Sequence, residues 1–349
     1  MRILLFNPGW GGGVARFYRG LYKSLLTSGH DVEPLSLRET VVPKLSNPAV
    51  NPTLLRLLKR LRRRYDIVHT VGLSASSFPY FMILSLRGFP PYVFTLHGSY
   101  QDELPHLGAW GHLCRLAMDL TLQCSDVVTV PCRFLLEKLP ENVRGKTVVI
   151  PNGIDRKSIL AVDEASRRIF GIPEDHLLLL TVTNFNYWDK CRGLDVLIPA
   201  LLKLKLEDVS LLVAGGGRYE GFFLEKYGGL SRVRFLGYRR DLLSIMKMCD
   251  AYVHLSFLDV LPYSVLEALC MGKPVVTNPV GGLEEIITDN VNGLIAESRE
   301  EVAECIVKLR DEDLRARLSE EAFNTAKNFE WRLVVRRFIK LYESLLKAG

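Results

Sequence analysis

The sequence has few cysteines and no long hydrophobic run, and these absences exclude several classes of protein. Its seven cysteines are scattered along 349 residues, and none forms a C-x-x-C pair. Neither a zinc site nor a disulfide framework is indicated, and we expect a reduced, cytoplasmic compartment. No apolar run approaches the roughly 20 residues that span a bilayer. The opening MRILLFNPGW has one basic residue and a short apolar stretch, so we interpret it as a first β-strand rather than a signal peptide.

The spacing of a dinucleotide-binding motif is also absent. Gly11, Gly12 and Gly13 follow the first apolar run, but they do not form G-x-G-x-x-G. No acidic residue ends the second apolar run at the expected offset, because Glu33 lies inside it. A Rossmann oxidoreductase is therefore disfavoured. Two interpretations of these glycines stay open. Their free N–H groups could bind an anion, or they could form a tight turn that binds no ligand.

What the sequence does contain is a repeated alternation of strand-like and helical segments. Its 349 residues are too many for one compact core and favour two domains of roughly 150 residues. Apolar runs such as RILLFN, YVFTLH, LLLLTVT and SLLVAGG predict buried parallel strands with helices on both faces. The predicted fold class is α/β, with two doubly wound Rossmann-like domains that face a central cleft. We expect the domains over residues 1–160 and 161–328, and a last helix over 329–349 that packs back on the first domain.

Two acids, Asp259 and Glu267, are the most informative pair of side chains. They lie eight positions apart, with Pro262 between them, where a loop passes into a helix. Each ionised carboxylate accepts two or more hydrogen bonds from hydroxyl groups. The helix start between them offers free N–H groups to a phosphate. A ligand that carries sugar hydroxyls next to phosphate is a nucleotide-sugar, so the sequence favours a nucleotide-sugar as the ligand.

Two cations, Lys190 and Arg192, lie between a strand and a helix of the second predicted domain. At the carboxyl end of a strand they could hold a diphosphate and stabilise the charge that grows on it as a leaving group. The alternative is a surface pair balanced by Asp189 and Asp195.

Further candidates follow other strands. His97 ends the run YVFTLH, where it could hydrogen-bond a sugar hydroxyl or transfer a proton, although a lone His is often structural. We interpret His69, which ends DIVH, as structural. Gly216 belongs to three glycines after SLLVA that could border a nucleotide.

Two charged segments have less specific interpretations. Residues 54–64, LLRLLKRLRRR, hold six bases and no acid, which suits an anionic membrane surface or, alternatively, a solvated helix face. The acidic triplet at 311–313 matches a pattern that holds divalent metal in some sugar-transferring enzymes. Because it precedes a helical segment, we interpret it as a helix start whose acids complement the helix dipole.

Taken together, these segments resemble the retaining glycosyltransferases of family 4 (group 1), which have the two-domain GT-B fold. The resemblance covers nearly the whole chain. It rests on NPGWGGGVARFYRGLYKSLLTSGHDV, YDIVH, TLHG, SDVVTVP, VIPNGID, KCRGLDVLIPAL, VRFLGYRRDLLSIMKMCDAYVHLS and LPYSVLEALCMGKPVVTNPVGGLEEII, in that order.

The resemblance implies a nucleoside-diphosphate-sugar donor in the C-terminal domain, an acceptor in the N-terminal domain, and retention of anomeric configuration without a metal or another cofactor. It implies catalytic roles for His97, Lys190, Arg192 and Asp259. The implied donor-binding residues are Gly12, Gly13, Asn184, Lys190, Arg192, Gly216, Tyr238, Asp259, Leu261, Pro262, Leu266 and Glu267. Within this set, Glu267 would bind the ribose, Asp259 the donor sugar, and the backbone around Tyr238 would lie near the nucleobase.

The chain departs from the family pattern at two positions. Asp259 stands where the family usually has Glu, and Asn184 stands where it often has Arg. The shorter carboxylate and the missing cation motivate one alternative to a retaining hexosyltransferase, a non-catalytic sugar-nucleotide-binding scaffold. A second alternative is a GT-B nucleotide-sugar 2-epimerase, which would need further acid/base residues around the sugar. The expected partners are a nucleotide-sugar, a saccharide or lipid-linked acceptor and, through 54–64, the inner face of an anionic membrane; no nucleic acid is expected.

Overall fold

The computed structural model describes residues 1–7, 12–36, 65–72, 90–100 and 109–348. The chain divides into two compact units. Unit 1 contains Met1–Gly153 and Trp331–Gly349, and unit 2 contains Ile154–Glu330. The boundaries expected from the sequence lie a few residues away from these. The basic segment 54–64 lies outside the described residues.

Unit 1 is built on a six-stranded parallel sheet in the order β2-β1-β3-β4-β5-β6. Its central strands are buried along their whole length, as expected for apolar runs covered on both faces. The strands are β1 (Arg2–Asn7), β2 (Asp31–Ser36), β3 (Ile67–Val71), β4 (Tyr92–Thr95), β5 (Val127–Val130) and β6 (Thr147–Val149). The helices before Ile154 are α1 (Gly12–Thr27), α2 (Ala109–Cys124), α3 (Arg133–Glu137) and α4 (Glu141–Arg144).

Unit 2 repeats this plan with a six-stranded parallel sheet in the order β12-β11-β10-β7-β8-β9. Two buried apolar layers, one on each face of the sheet, hold its helices in place. The strands are β7 (Leu177–Val182), β8 (Val209–Ala214), β9 (Val233–Gly237), β10 (Ala251–His254), β11 (Val275–Thr277) and β12 (Gly293–Ile295).

The helices of unit 2 connect these strands. They are α5 (Arg156–Leu160), α6 (Trp188–Cys191), α7 (Leu194–Lys203), α8 (Glu220–Tyr227), α9 (Leu242–Met248), α10 (Tyr263–Cys270), α11 (Arg299–Lys308) and α12 (Glu312–Ala326). Short 3-10 helices occupy Arg167–Phe170, Leu283–Glu285 and Lys327–Phe329. The acidic triplet at 311–313 starts α12, because the Asp311 carboxylate accepts hydrogen bonds from the N–H groups of Asp313 and Leu314. This confirms the interpretation as a helix start.

The last helix, α13 (Trp331–Ala348), returns to unit 1 and packs against α1. Its Phe338 ring lies 5.8 Å from the Phe17 ring of α1. Gly20 of α1 faces the Trp331 indole so closely that a Cβ atom there would lie 2.2 Å from it. A glycine at this position therefore allows the two helices to approach.

Both sheets reverse their winding direction at one point. In unit 1, β1 lies between β2 and β3, and in unit 2, β7 lies between β8 and β10. In open α/β sheets, ligands bind outside the carboxyl ends of the strands at such a switch point. Ligand-binding residues are therefore expected at these two edges.

Candidate functional site

In unit 2, the predicted donor-binding residues follow the carboxyl ends of four neighbouring strands, β10, β7, β8 and β9, directly or by a helix. This set comprises Asn184, Lys190 and Arg192 after β7, Gly216 after β8, Tyr238 after β9, and Asp259, Leu261, Pro262, Leu266 and Glu267 after β10.

Asp259 lies in a largely buried cluster with Lys190 and His254. The Lys190 ammonium donates to Asp259 Oδ1 at 2.9 Å, and His254 Nε2 lies 3.3 Å from Oδ2. Burial alone raises the pKa of Asp259, but the neighbouring Lys190 and His254 outweigh it and hold that pKa well below its usual range. Asp259 is therefore an ionised carboxylate that accepts a hydrogen bond from Lys190 and lies close to His254.

This pairing was not predicted from the sequence, where Lys190 and Asp259 were assigned separately to diphosphate and sugar. The Lys190 side chain is 24% exposed and that of Asp259 13% exposed. An ammonium group has three protons, so Lys190 can donate to more than one acceptor.

Arg192 is engaged locally. Its Nε lies 2.8 Å from a carboxylate oxygen of Asp189, and its guanidinium carbon lies 4.0 Å from the centre of the Phe257 ring. The first contact agrees with the alternative that Asp189 balances this cation. Asp195, the other acid of that alternative, instead accepts from the Lys226 ammonium at 2.8 Å. With its side chain 42% exposed, Arg192 also has guanidinium surface that faces solvent.

Glu267 lies in α10, where it is only 5% exposed. The amino end of this helix has Pro262 at its cap position and no side-chain cap. Its first N–H groups are therefore not satisfied by a capping side chain, which suits an anion. The side chains of Leu261 and Leu266 are 5% and 0% exposed, so these two residues form part of the core beneath the loop.

Glycines and an exposed tyrosine form the rest of this edge. Gly215 has φ +135°, and a Cβ atom there would lie 1.9 Å from the Thr183 carbonyl oxygen, so only glycine allows this turn. Tyr238 is 78% exposed. The amide oxygen of Asn184 accepts bonds from the backbone and side-chain nitrogens of Asn186 at 3.0 and 3.1 Å. Asn184 thus shapes the loop after β7 instead of supplying a cation.

In unit 1, His97 and His69 differ in their hydrogen bonding. His69 is fully buried and bonds Tyr342 Oη and Thr95 Oγ1, each at 2.6 Å, which confirms its structural interpretation. The His97 ring packs 4.3 Å from the Phe17 ring, and its buried Nε2 has no hydrogen-bond partner within the described residues. Burial lowers the pKa of His97, so the ring is a neutral group with one nitrogen left to a ligand.

Gly12 and Gly13 are exposed at the start of α1. Gly12 has φ +61°, and nothing lies within 4 Å of where its Cβ atom would be. A ligand could therefore approach the backbone here. Gly11 lies outside the described residues.

Within the described ranges, no group of three or more His, Cys, Asp or Glu residues could hold a metal ion. Nor does any helix in these ranges have the length and apolar character needed to cross a membrane.

Sequence reasoning missed two residues at the unit 2 edge, His254 and Glu220. His254 ends β10, as His97 follows β4, so the strand-end position that marked His97 could have marked it too. Glu220 begins α8 just after the three glycines, a position that is common to many helix starts and carries no distinct signal.

Two family models match this chain. Residues 11–158 match the model described as Glycosyltransferase Family 4, and residues 162–325 match Glycosyl transferases group 1. Together the two matches cover most of both units.

Individual proteins resemble the chain more distantly. An uncharacterized glycosyltransferase of Methanocaldococcus jannaschii is 26% identical over 267 residues, 73% of this chain and 69% of the relative. The N,N'-diacetylbacillosaminyl-diphospho-undecaprenol alpha-1,3-N-acetylgalactosaminyltransferase of Campylobacter jejuni is 32% identical over 147 residues, 41% of this chain and 39% of the relative. The crystal structure of Alr3699/HepE from Anabaena in complex with UDP superposes with a TM-score of 0.77 at 20% identity, covering 99% of this chain and 100% of that protein.

Proposed function

Because the chain belongs to the group 1 glycosyltransferases of family 4 and has the GT-B fold, we propose that it is a retaining, metal-independent hexosyltransferase. It would transfer a sugar from a nucleoside-diphosphate-sugar to a saccharide or lipid-linked acceptor. No cofactor other than the donor itself is required in this proposal.

The observation that carries the proposal is the Lys190–Asp259 pair at the carboxyl edge of the unit 2 sheet, with Glu267 in the helix that follows the same strand as Asp259. A largely buried ammonium–carboxylate pair and a second buried carboxylate in α10 match a ligand with hydroxyl groups on two sugars and a diphosphate between them. Glu267 would accept hydrogen bonds from the ribose, and Asp259 from the donor sugar. The Anabaena protein of the same fold binds UDP, which supports a nucleotide-sugar as the donor in this proposal.

The proposed mechanism depends on stabilising the leaving group. As the glycosidic bond to the diphosphate breaks, positive charge grows on the sugar and negative charge on the phosphate. The Lys190 ammonium, the exposed guanidinium of Arg192 and the uncapped amino end of α10 would stabilise that phosphate. Retention without a protein nucleophile favours attack on the face that the diphosphate leaves, with a phosphate oxygen taking the acceptor proton.

His97 and the glycines at the start of α1 would act from unit 1. The neutral ring of His97 would bond a sugar hydroxyl through the nitrogen that has no partner among the described residues. Gly12 and Gly13 would offer backbone N–H groups to the phosphates.

Transfer and anomer analysis test this proposal. The protein is incubated with radiolabelled UDP-, GDP- and ADP-sugars and a membrane lipid extract, with and without EDTA, and the product anomer is assigned by NMR. We expect turnover that EDTA leaves unchanged, a product with the donor's anomeric configuration, and at least a 10-fold weaker donor affinity in Glu267→Gln, because a charge-assisted bond contributes about 1.5–3 kcal/mol. Tight nucleotide binding without any transfer would favour a non-catalytic scaffold, and an epimerised nucleotide-sugar would favour an epimerase.

A lipid-linked acceptor is the second part of the proposal. The Campylobacter relative acts, by its name, on a diphospho-undecaprenol substrate. The six bases of residues 54–64 would hold the enzyme against anionic headgroups. Sedimentation with vesicles of phosphatidylglycerol and phosphatidylcholine tests this: we expect salt-sensitive binding that Arg62/Arg63/Arg64→Ser weakens, and equal binding to purely zwitterionic vesicles contradicts it.

A further inference from the structure

A carboxylate with no assigned role, that of Glu220, lies at the part of the unit 2 edge formed by the ends of β8 and β9. Its Oε2 lies 3.5 Å from the position that a Cβ atom on Gly216 would take, and its Oε1 lies 3.5 Å from the corresponding position on Gly237. The Tyr238 Cβ atom reaches within 3.4 Å of the same point beside Gly216. The carboxylate therefore faces two glycine backbones beside a tyrosine.

Glu220 is half-buried, yet within the described ranges its carboxylate has neither a hydrogen bond nor an ion pair. The neighbouring cations are engaged elsewhere. Arg218 stacks on the Tyr219 ring at 4.5 Å, and Arg239 pairs with Asp241 at 2.6 Å. The Glu220 oxygens are not among the buried side-chain atoms that have no partner, so they stay accessible to a ligand that supplies two donors.

Two residues beside the carboxylate have no side chain. Gly216 and Gly237 place no Cβ atom in front of the two carboxylate oxygens, each of which lies 3.5 Å from the position that such an atom would take. The Tyr238 side chain, 78% exposed, offers an aromatic face on which a base can stack. The Tyr238 ring would therefore be a stacking surface, with the Glu220 carboxylate as a hydrogen-bond acceptor beside it.

The chemistry of the edge distinguishes the common nucleobases. Guanine presents two adjacent donors, N1–H and the 2-amino group, which match the two oxygens of one carboxylate. Uracil presents a single N–H between two carbonyl oxygens, and a carboxylate repels both of those oxygens. Adenine presents an amino donor beside a ring-nitrogen acceptor, and the carboxylate repels that acceptor. A carboxylate in this position therefore favours guanine and disfavours the other two.

We propose that Glu220 reads the nucleobase of the donor and that the donor is a guanosine-diphosphate-sugar. This rests on the proposed function, since it assumes that the unit 2 edge binds a sugar nucleotide. Glu220 is a specificity-determining residue in this proposal and takes no part in the bond-breaking step.

Isothermal titration of the full chain with GDP, IDP, UDP and ADP tests the proposal. IDP is the sharpest probe, because hypoxanthine keeps N1–H and lacks the 2-amino group of guanine. We expect GDP to bind at least 10-fold more tightly than UDP, ADP and IDP. Glu220→Gln and Glu220→Ala should weaken GDP by about 10- to 100-fold and change UDP less than 2-fold, so that GDP and IDP become equal in the alanine variant.

The matched control is Glu225→Gln, which removes an exposed carboxylate from the same helix and should leave all four affinities unchanged. UDP or ADP binding as tightly as GDP overturns the base assignment while leaving the transferase proposal intact. Equal weakening of all four nucleotides in Glu220→Ala also overturns it. Absence of binding by every nucleotide at millimolar concentration overturns the proposed function itself.

Discussion

Replacing Lys190 by Met tests whether the Lys190–Asp259 pair is a coupled element of unit 2. The substitution removes the ammonium that lies 2.9 Å from Asp259 Oδ1 and keeps a side chain of similar length. Asp259 then remains in a site where its side chain is 13% exposed. Of the two described residues that pair with its carboxylate, Lys190 and His254, His254 remains.

The size of the effect follows from burial. Breaking a buried ion pair by removing one partner costs about 3–5 kcal/mol. The Lys190 side chain is 24% exposed, and His254 remains beside Asp259, so we expect a smaller loss of stability than this, about 2–3 kcal/mol. For a unit of this size that corresponds to a fall in Tm of about 4–12 °C.

Thermal unfolding at pH 7 of Lys190→Met, Asp259→Asn and the double variant measures the coupling. The double variant should be more stable than the sum of the single effects predicts, by about 1–2 kcal/mol, because it removes the buried unpaired charge. Lys203→Met is the matched control. Lys203 pairs with Glu300 at 3.0 Å in the same unit, but both side chains are about 60% exposed. That change should cost no more than about 1 kcal/mol.

The pH dependence supplies an independent check. Because the folded-state pKa of Asp259 is depressed, its contribution to stability is present above the unfolded value of about 3.9 and is lost as pH falls towards the folded value. The difference between the wild type and Lys190→Met should therefore be full at pH 7 and shrink in acid. Additive single effects, or a difference that does not change with pH, would refute the coupling.

Three further predictions concern backbone approach, a buried hydrogen bond and acid stability. Gly193→Ala should lower the free energy of unfolding, measured with urea, by about 3 kcal/mol or more, because the new Cβ atom would lie 1.9 Å from the Leu255 carbonyl oxygen. Gly221→Ala is the control: its Cβ atom would meet nothing within 4 Å, so the change should be neutral or slightly stabilising. Tyr342→Phe removes the hydroxyl bonded to His69 Nδ1 and should lower the free energy of unfolding by about 1–3 kcal/mol, seen as a lower urea midpoint. Burial lowers the pKa of His69 to about 3 in the folded state, against about 6.5 in the unfolded state. The stability that neutral His69 gives the folded state is therefore complete above about pH 6.5 and falls with pH below it, by at most about 1.4 kcal/mol per pH unit. His69→Asn should flatten the pH dependence of the urea midpoint, and an unchanged slope would contradict this.

Much of the architecture could be predicted from hydrophobic patterning. The run LLLLTV is long, apolar and bounded by polar residues, and it forms the buried strand β7. Since parallel strands place their carboxyl ends along one edge, the positions of Asn184, Gly216 and Asp259 after successive strands already indicated a common site. Patterning specifies the strand β12 less clearly, because its apolar segment is only three residues long.

The pairing of charges within the site could not be predicted in the same way. Lys190 and Asp259 are 69 positions apart, and no local pattern specifies that their side chains meet. Arg192 and Asp189 are three positions apart on adjoining helical turns, so their contact was open to sequence reasoning. Asp195 has the same local spacing to Arg192, but the partner that it reaches, Lys226, lies on another helix, and only the fold brings them together.

The return of α13 to unit 1 has a consequence for biosynthesis. Unit 2 lies within the sequence of unit 1, and its two ends are joined where the Ile154 N–H donates to the Phe329 carbonyl at 2.8 Å. At a translation rate of about 5–20 residues per second, the ribosome takes roughly 10–35 s to synthesise unit 2 before α13 begins. During that interval α13, which brings Phe338 to α1, has not yet been synthesised, and by the end of it all six strands of unit 2 have been made. On the ribosome, the inserted unit can therefore fold to completion before the unit that surrounds it in sequence.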